Sequence, residues 1–235
     1  WYLAYGSNMS TDKFIKNRKI APLNTAVVTV PGWALMMDSA GVPYSEPSYG
    51  SMSPIGHYRN AVQLIGTAYQ LTPEMYAKVL SSEGGGIAYA EVEVRAQIMP
   101  CDKEKQSTNE ANTIAVRSLV TVMRREARPS IRYMRLLRTG ADEAEMPPSY
   151  QAFLAGIPVY HPSSRLLPRI GAELFLAFWV PIMSLAERIT KASLQRRKTG
   201  NAPIWVIALV RTIVFAMWFY HDYIHAPIWG QGDGM

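Results

Sequence analysis

Between Ala88 and Ala96 the chain alternates without a break. Ala88, Ala90, Val92, Val94 and Ala96 fall on one side, and Tyr89, Glu91, Glu93 and Arg95 fall on the other. A period of two is that of a β-strand with one face on a core and one face toward polar surroundings. The run commits this part of the chain to a sheet, and the neighbouring segments read as its partners. Residues 1–5 predict a buried strand. Ser10 is placed to cap a short helix from Thr11 to about Arg18, and Thr25–Val30 predicts a strand that Pro31-Gly32 punctuates. Val62–Gln70 and Thr113–Met123 predict two more strands, with a turn in the polar residues 102–112.

Helices are announced by their start signals. Thr72-Pro73 pairs an N-cap with proline at the first helical position, and that helix must end at Glu83 because Gly84-Gly85-Gly86 cannot continue it. Pro129-Ser130 opens a helix through Arg138, and Pro147-Pro148 opens another near Tyr150–Leu154. Residues 38–60 are rich in Gly, Pro, Ser and Tyr and show no period, so they predict a long loop. Long loops in compact domains are often lids, and His57 would then be a lid residue or simply exposed. There is no internal repeat and no low-complexity segment.

Near residue 160 the character of the chain changes. Gly171–Ala186 is almost wholly apolar, although Pro181 interrupts it. A basic stretch with Arg188, Lys191, Arg196, Arg197 and Lys198 follows, and then Ala202–Tyr220 is apolar apart from Arg211. The first run is somewhat short to span a bilayer and the second is near the required length, but an arginine inside a membrane is costly. Three arrangements stay open: helices packed on the preceding domain, a shallow membrane-associated hairpin with its basic connector facing the cytoplasm, or a homodimer interface. His221 and His225 stand at i and i+4, a spacing that can bind metal on a helix. No His or Cys cluster accompanies them, so packing or interfacial hydrogen bonding is favoured.

The chain's 235 residues, 49% of them hydrophobic, are enough for a sizeable core. The net charge of +6 suits an anionic ligand, nucleic acid or an anionic surface and selects none of them. Arg117, Arg124, Arg125, Arg128, Arg132, Arg135 and Arg138 form a basic run opposed only by Glu126. Such a run is usually a solvated face, although an anionic peptide could draw on it. Without a companion motif no nucleic-acid partner is expected. The single cysteine, Cys101, excludes an internal disulfide and fits a reducing, cytoplasmic setting, while a segment removed ahead of Trp1 stays open.

The opening strand ends in Tyr5-Gly6-Ser7-Asn8 and passes into a helix start. Glycine permits close approach, serine and asparagine add side-chain donors, and the backbone amides together can grip a carboxylate or an oxyanion. Taken alone, the tetrapeptide reads first as a simple turn with an asparagine cap. Two further stretches change this: Ser81-Ser82-Glu83-Gly84-Gly85-Gly86-Ile87-Ala88-Tyr89 and Glu126-Ala127-Arg128-Pro129-Ser130-Ile131-Arg132-Tyr133. With Tyr2–Asn8 they resemble the gamma-glutamylcyclotransferase family, whose marks are an aromatic-rich strand ending in Tyr-Gly-Ser-Asn, a Glu-Gly at a helix end and a later Pro-Ser-x-x-Tyr. Met146-Pro147-Pro148-Ser149-Tyr150-Gln151 resembles a fourth family segment, so the likeness covers roughly residues 1–157.

The resemblance implies an α+β fold, a small mixed, mostly antiparallel barrel-like sheet with flanking helices, over residues 1–160. Residues 161–235 follow as a helical hydrophobic extension. It implies an enzyme that releases 5-oxoproline from a gamma-glutamyl amide, the free α-amine attacking the side-chain carbonyl. Glu83 is then the acid/base. Tyr2, Leu3, Ala4, Tyr5, Gly6, Ser7 and Asn8 form the glutamyl-binding loop, and Tyr133 bonds the substrate. Tyr89 is a further candidate, one residue closer to Glu83 than the family's tyrosine. A single carboxylate can relay the proton from amine to leaving nitrogen, and a helix C-terminus suits a group that must take up and release protons. No metal or organic cofactor is called for, and Ser7 lacks the Gly-x-Ser-x-Gly elbow of a nucleophile.

Gly41-Val42-Pro43-Tyr44-Ser45-Glu46-Pro47 together with the hydrophobic tail resembles the fungal branch associated with gliotoxin-type toxins, which implies a glutathione conjugate as substrate. Two alternatives remain beside the enzyme: a catalytically silent binding module of the same fold tethered to a membrane by its tail, and a membrane metalloenzyme using His221 and His225.

Overall fold

The computed structural model describes residues 1–57, 61–100, 112–195 and 199–235. Cys101, Arg196–Lys198, the His57 side chain and nearly all of the turn expected at 102–112 lie outside the described residues. The strands are β1 (Tyr2–Ala4), β2 (Asn24–Val42), β3 (Glu46–Pro54), β4 (Gln63–Gln70), β5 (Tyr89–Ile98) and β6 (Thr113–Thr121). The helices are α1 (Pro73–Ser82), α2 (Ile131–Glu143), α3 (Pro148–Gly156), α4 (Leu166–Gln195), α5 (Ile204–Tyr220) and α6 (Ala226–Trp229). The sheet runs β3-β2-β4-β1-β6-β5, and β2 also pairs with β5 through Val28↔Ile98 and Thr29↔Gln97, which closes β2, β4, β1, β6 and β5 into a barrel. Only β1 and β6 run parallel; the other pairs are antiparallel. The mixed, mostly antiparallel barrel expected from the sequence is therefore the observed fold.

The long loop expected at 38–60 is instead a hairpin of β2 and β3. Strand β3 is buried on both faces over most of its length, so no alternation marks it. Pro31-Gly32 does not end the preceding strand either. It sits at a bulge between Val30 and Ala34, where Gly32 adopts φ +78°, and the bent β2 continues to Val42. The helix expected from Thr11 is a single π-helical turn, Asp12–Asn17, without a side-chain cap. In β5, Val94 and Ala96 are buried as the alternation requires, but Ala90 at the open end is exposed.

Helix α1 follows its signals: Thr72 Oγ1 accepts from Met75 N–H at 3.3 Å, and Gly84, Gly85 and Gly86 all take positive φ just beyond it. Ser130 caps α2 by accepting from Tyr133 N–H at 3.0 Å. The barrel core joins Leu3, Val28, Leu64 and Val116 to Met134 and Leu137 of α2 and Leu154 of α3, all essentially inaccessible. Each such side chain contributes about 1.5–3 kcal/mol by leaving water. A second apolar cluster joins Phe175, Trp179, Val210 and Met217 of α4 and α5 to Tyr44, Ile87 and Ala127. The C-terminal helices therefore pack against the preceding chain through this cluster.

Candidate active site

The short central strand β1 places the end of Ala4 at the mouth of the barrel, where Tyr5 leads into a 3-10 turn, Ser7–Met9. Tyr69 fixes the turn by donating to Asn8 O at 3.2 Å, and its ring stacks on Phe14 with centroids 4.2 Å apart. Helix α1 runs toward this turn and ends with Glu83 as its C-cap, Glu83 N–H bonding Val79 O at 3.0 Å. The two meet. Asn8 Nδ2 donates to Glu83 Oε1 at 3.0 Å and to Tyr2 Oη at 2.8 Å. Arg18 pairs with the same Oε1. Among the described residues no hydrogen bond reaches Glu83 Oε2.

A cavity of about 460 Å³ opens over this cluster. Tyr2, Tyr5, Gly6, Ser7, Asn8 and Glu83 line it together with Tyr89 and Tyr133. Leu3 and Ala4 do not line it; their side chains are buried in the barrel core. A smaller cavity of about 210 Å³ shares Glu83, Tyr89 and Leu119 with the first and is closed by Asn201 and Arg211 from the C-terminal region.

The phenols are held as neutral donors. Burial, reinforced by Glu83 for Tyr2 and by Tyr89 for Tyr133, pushes both hydroxyls well above the usual tyrosine range, and burial does the same for Tyr5 and Tyr89. Tyr5 donates to Leu119 O. Tyr133 Oη accepts from Gly50 N–H at 2.9 Å, which leaves its own proton for the cavity. Tyr89 Oη donates to Gly50 O at 3.3 Å. The closeness of Tyr133 depends on missing side chains, since a Cβ on Gly6 or on Gly50 would stand 2.9 Å from its hydroxyl.

Among the described residues three cations, Arg18, Lys13 and Arg132, and two carboxylates, Glu83 and Glu187, line the cavity, with Arg18 paired to Glu83 and Arg132 paired to Glu46 at 2.6 Å. Burial, followed by Arg18, lowers the Lys13 ammonium from its usual range. Buried atoms without protein partners cluster beside Glu83: Asn8 Oδ1, Arg18 Nε and Arg18 Nη1. Unsatisfied groups of this kind are costly unless a ligand or water meets them. Sequence reasoning missed Arg18 and Lys13, for the local pattern marks them only as basic residues of a helical turn. Of the arginine run, Arg132 alone lines this cavity. Arg124 pairs with Asp38, Arg125 with Asp222 at 2.6 Å, and Arg138 bonds Leu154 O and Ala155 O.

His221 and His225 are engaged in packing and hydrogen bonding. His221 Nε2 accepts from Gly232 N–H at 3.0 Å, so its Nδ1 carries the proton donated to Asp222 at 2.8 Å. His225 Nε2 donates to Gly171 O at 2.9 Å.

A family model described as the AclK C-terminal domain matches residues 165–228. Gamma-glutamyl cyclotransferase aclK of Aspergillus oryzae is 42% identical, over 100% of this chain and 90% of that protein. Gamma-glutamyl cyclotransferase gliK of Aspergillus fumigatus is 36% identical, over 100% and 89%. Among solved structures, a human protein titled uncharacterized protein loc79017 shares the fold at TM-score 0.55 and 20% identity, covering 70% of this chain and 91% of that one. A structure titled gamma-glutamyl cyclotransferase does so at TM-score 0.54, with the same identity and coverage. With relatives this similar over its whole length, the chain belongs to the gamma-glutamyl cyclotransferase family.

Proposed function

We propose that this chain releases 5-oxoproline from a gamma-glutamyl amide, with Glu83 as the proton relay. The carrying observation is the meeting of Glu83, Asn8 and Tyr2 under the larger cavity, with Oε1 of the carboxylate fully engaged and Oε2 left available. Oε2 takes a proton from the substrate α-ammonium. The freed amine attacks the γ-carbonyl carbon, and the oxyanion that forms is met by neutral donors, Tyr133 and the backbone of Gly6–Asn8. Glu83 then returns the proton to the departing nitrogen as the carbon–nitrogen bond breaks and takes the second proton from the ring nitrogen, which ends on the released amine as its ammonium, so the products are 5-oxoproline and a protonated amine and no water is consumed. Holding nucleophile and electrophile in one bent chain supplies much of the acceleration. Arg18 and Arg132 are placed to meet substrate carboxylates. The smaller cavity beyond Glu83 is room for the amine-bearing half.

The favoured substrate is a glutathione conjugate of a secondary metabolite. The fungal relatives that span the whole chain support this, as does the adjoining second cavity. Incubation with glutathione and with bulky S-conjugates, followed by mass analysis, tests it. Release of 5-oxoproline from the conjugates is expected, and binding without release would favour a silent module instead.

We also propose two units, residues 1–160 and 161–235, the second resting on a membrane surface. Its helices present Leu174, Phe178, Leu185, Trp205, Phe215 and Ile228 to the outside, each more than half exposed. Leu166–Gln195 and Ile204–Trp229 are each long and apolar enough to cross a bilayer. Their opposite faces are covered by the barrel unit, which favours lying on the surface over spanning it. Arg165, Arg169, Arg188 and Lys191 are exposed on α4 or just ahead of it, a placement suited to the anionic cytoplasmic leaflet. Co-sedimentation with anionic vesicles would support this; a soluble dimer burying the same face would contradict it.

A further inference from the structure

Arg211 looks misplaced in sequence, a charge inside an apolar helix. In the fold it is half-buried and turned toward the loop that follows Glu83. Its Nη2 donates to Gly86 O at 3.0 Å and its Nε donates to Ile87 O at 2.9 Å. The preceding carbonyl, Gly85 O, accepts from Ala202 N–H at 2.9 Å. Three successive carbonyls after Glu83 are thus held by the chain beyond residue 160.

The loop's own turn engages its N–H groups, Gly84 N–H bonding Ser81 O at 3.2 Å, Gly85 N–H bonding Leu80 O at 2.8 Å and Ile87 N–H bonding Gly84 O at 3.3 Å, while the carbonyls of Gly85, Gly86 and Ile87 take their partners from beyond residue 160. Gly84, Gly85 and Gly86 take φ of +85°, +58° and +89°, and glycines have many other conformations open to them. The fit is close: a Cβ on Gly85 would stand 2.7 Å from the Leu194 side chain and 2.8 Å from Ala202 N. A Cβ on Gly200 would stand 2.5 Å from Ala77 O of α1, the helix that Glu83 terminates. Among the described residues Arg211 has no acidic partner within ion-pair distance. Its charge is directed at carbonyls just past the C-terminus of α1, where a cation is favoured.

We propose that Arg211 is a positioning residue of the active site. By clamping the Gly86 and Ile87 carbonyls it fixes the path of the chain leaving Glu83, so the C-terminal unit supports a residue of the barrel unit's site. The inference rests on Glu83 being the proton relay.

The test uses the full chain with Arg211→Met and Arg211→Lys, read by steady-state kinetics on a gamma-glutamyl substrate and by hydrogen exchange over residues 81–89. In Arg211→Met, exchange at 84–87 should quicken, and kcat should fall by about 100-fold with little change in KM, the cost of a misplacement near 1 Å. Arg211→Lys should recover much of kcat, because an ammonium can still reach the same carbonyls. Unchanged loop exchange would overturn the proposal. So would an unchanged kcat, or a loss accounted for by the unfolded fraction that lysine does not repair. If the wild-type chain released no 5-oxoproline, the reading of Glu83 would fall, while the exchange measurement would still decide whether Arg211 holds the loop.

Discussion

Replacing Gly6 with alanine isolates the close contact between the turn after β1 and the Tyr133 hydroxyl. The new Cβ would stand 2.9 Å from the Tyr133 hydroxyl, whereas ordinary contact begins at 3.4 Å, so the phenol must retreat by about 0.5 Å. Retreat is blocked. Gly50 lies across the hydroxyl, donating its N–H at 2.9 Å, and Tyr133 is only 5% exposed. Gly6 has φ −117°, so the effect is steric rather than a matter of left-handed backbone. Overpacking of this kind costs about 1–3 kcal/mol. The same displacement should lower kcat roughly tenfold or more, since catalytic geometry is lost over distances of this order. Tyr133→Phe removes the hydroxyl and leaves the Gly50 N–H unpaired, itself costing about 1–3 kcal/mol. In that background Gly6→Ala should be nearly neutral. Urea unfolding of the two single variants and the double variant reads the coupling directly. An equal cost of Gly6→Ala in both backgrounds would refute the reasoning.

Arg18→Ala removes the countercharge from a carboxylate whose side chain is 22% exposed, Arg18 itself being 12% exposed. A loss of about 3 kcal/mol is expected in denaturant unfolding, and it should shrink in a Glu83→Gln background, where no anion is left behind. His225 is lowered from its usual range first by burial, opposed by its bond to Gly171 O and assisted by His221. The folded state therefore binds its proton less readily than the unfolded chain. Its contribution is full above about pH 6.5 and is lost as pH falls through the lowered folded value. The melting temperature should accordingly drop on acidification below pH 6.5, and His225→Asn should flatten that drop.

The barrel was legible as a class, and the candidate site residues were legible by position. Glu83 could be placed because a capping threonine, a first-turn proline and three glycines fix both ends of α1, and local signals of that kind survive without tertiary context. Gly6–Asn8 and Tyr133 were marked by the family resemblance rather than by local pattern, and the fold brings them to one cavity. The hairpin of β2 and β3 was not legible, because a strand buried on both faces and broken by bulges carries no period of two. Arg18 was missed because its meaning lies in an ion pair across 65 residues of chain. Arg211 was legible only as an anomaly. Hydropathy records the cost of its charge, whereas the carbonyls that receive it come from a loop 124 residues away. Tyr89 sits on the charged side of an alternating strand, yet that side turns into the cavity where β5 begins.

The most direct measurement compares wild type with Glu83→Gln for both binding and turnover of one gamma-glutamyl substrate. The glutamine oxygen can still accept from Asn8 and Arg18, so affinity should persist. The amide cannot relay a proton, so release of 5-oxoproline should fall by roughly 100-fold to 10,000-fold. Turnover at the wild-type rate with unchanged affinity would contradict the assignment of Glu83.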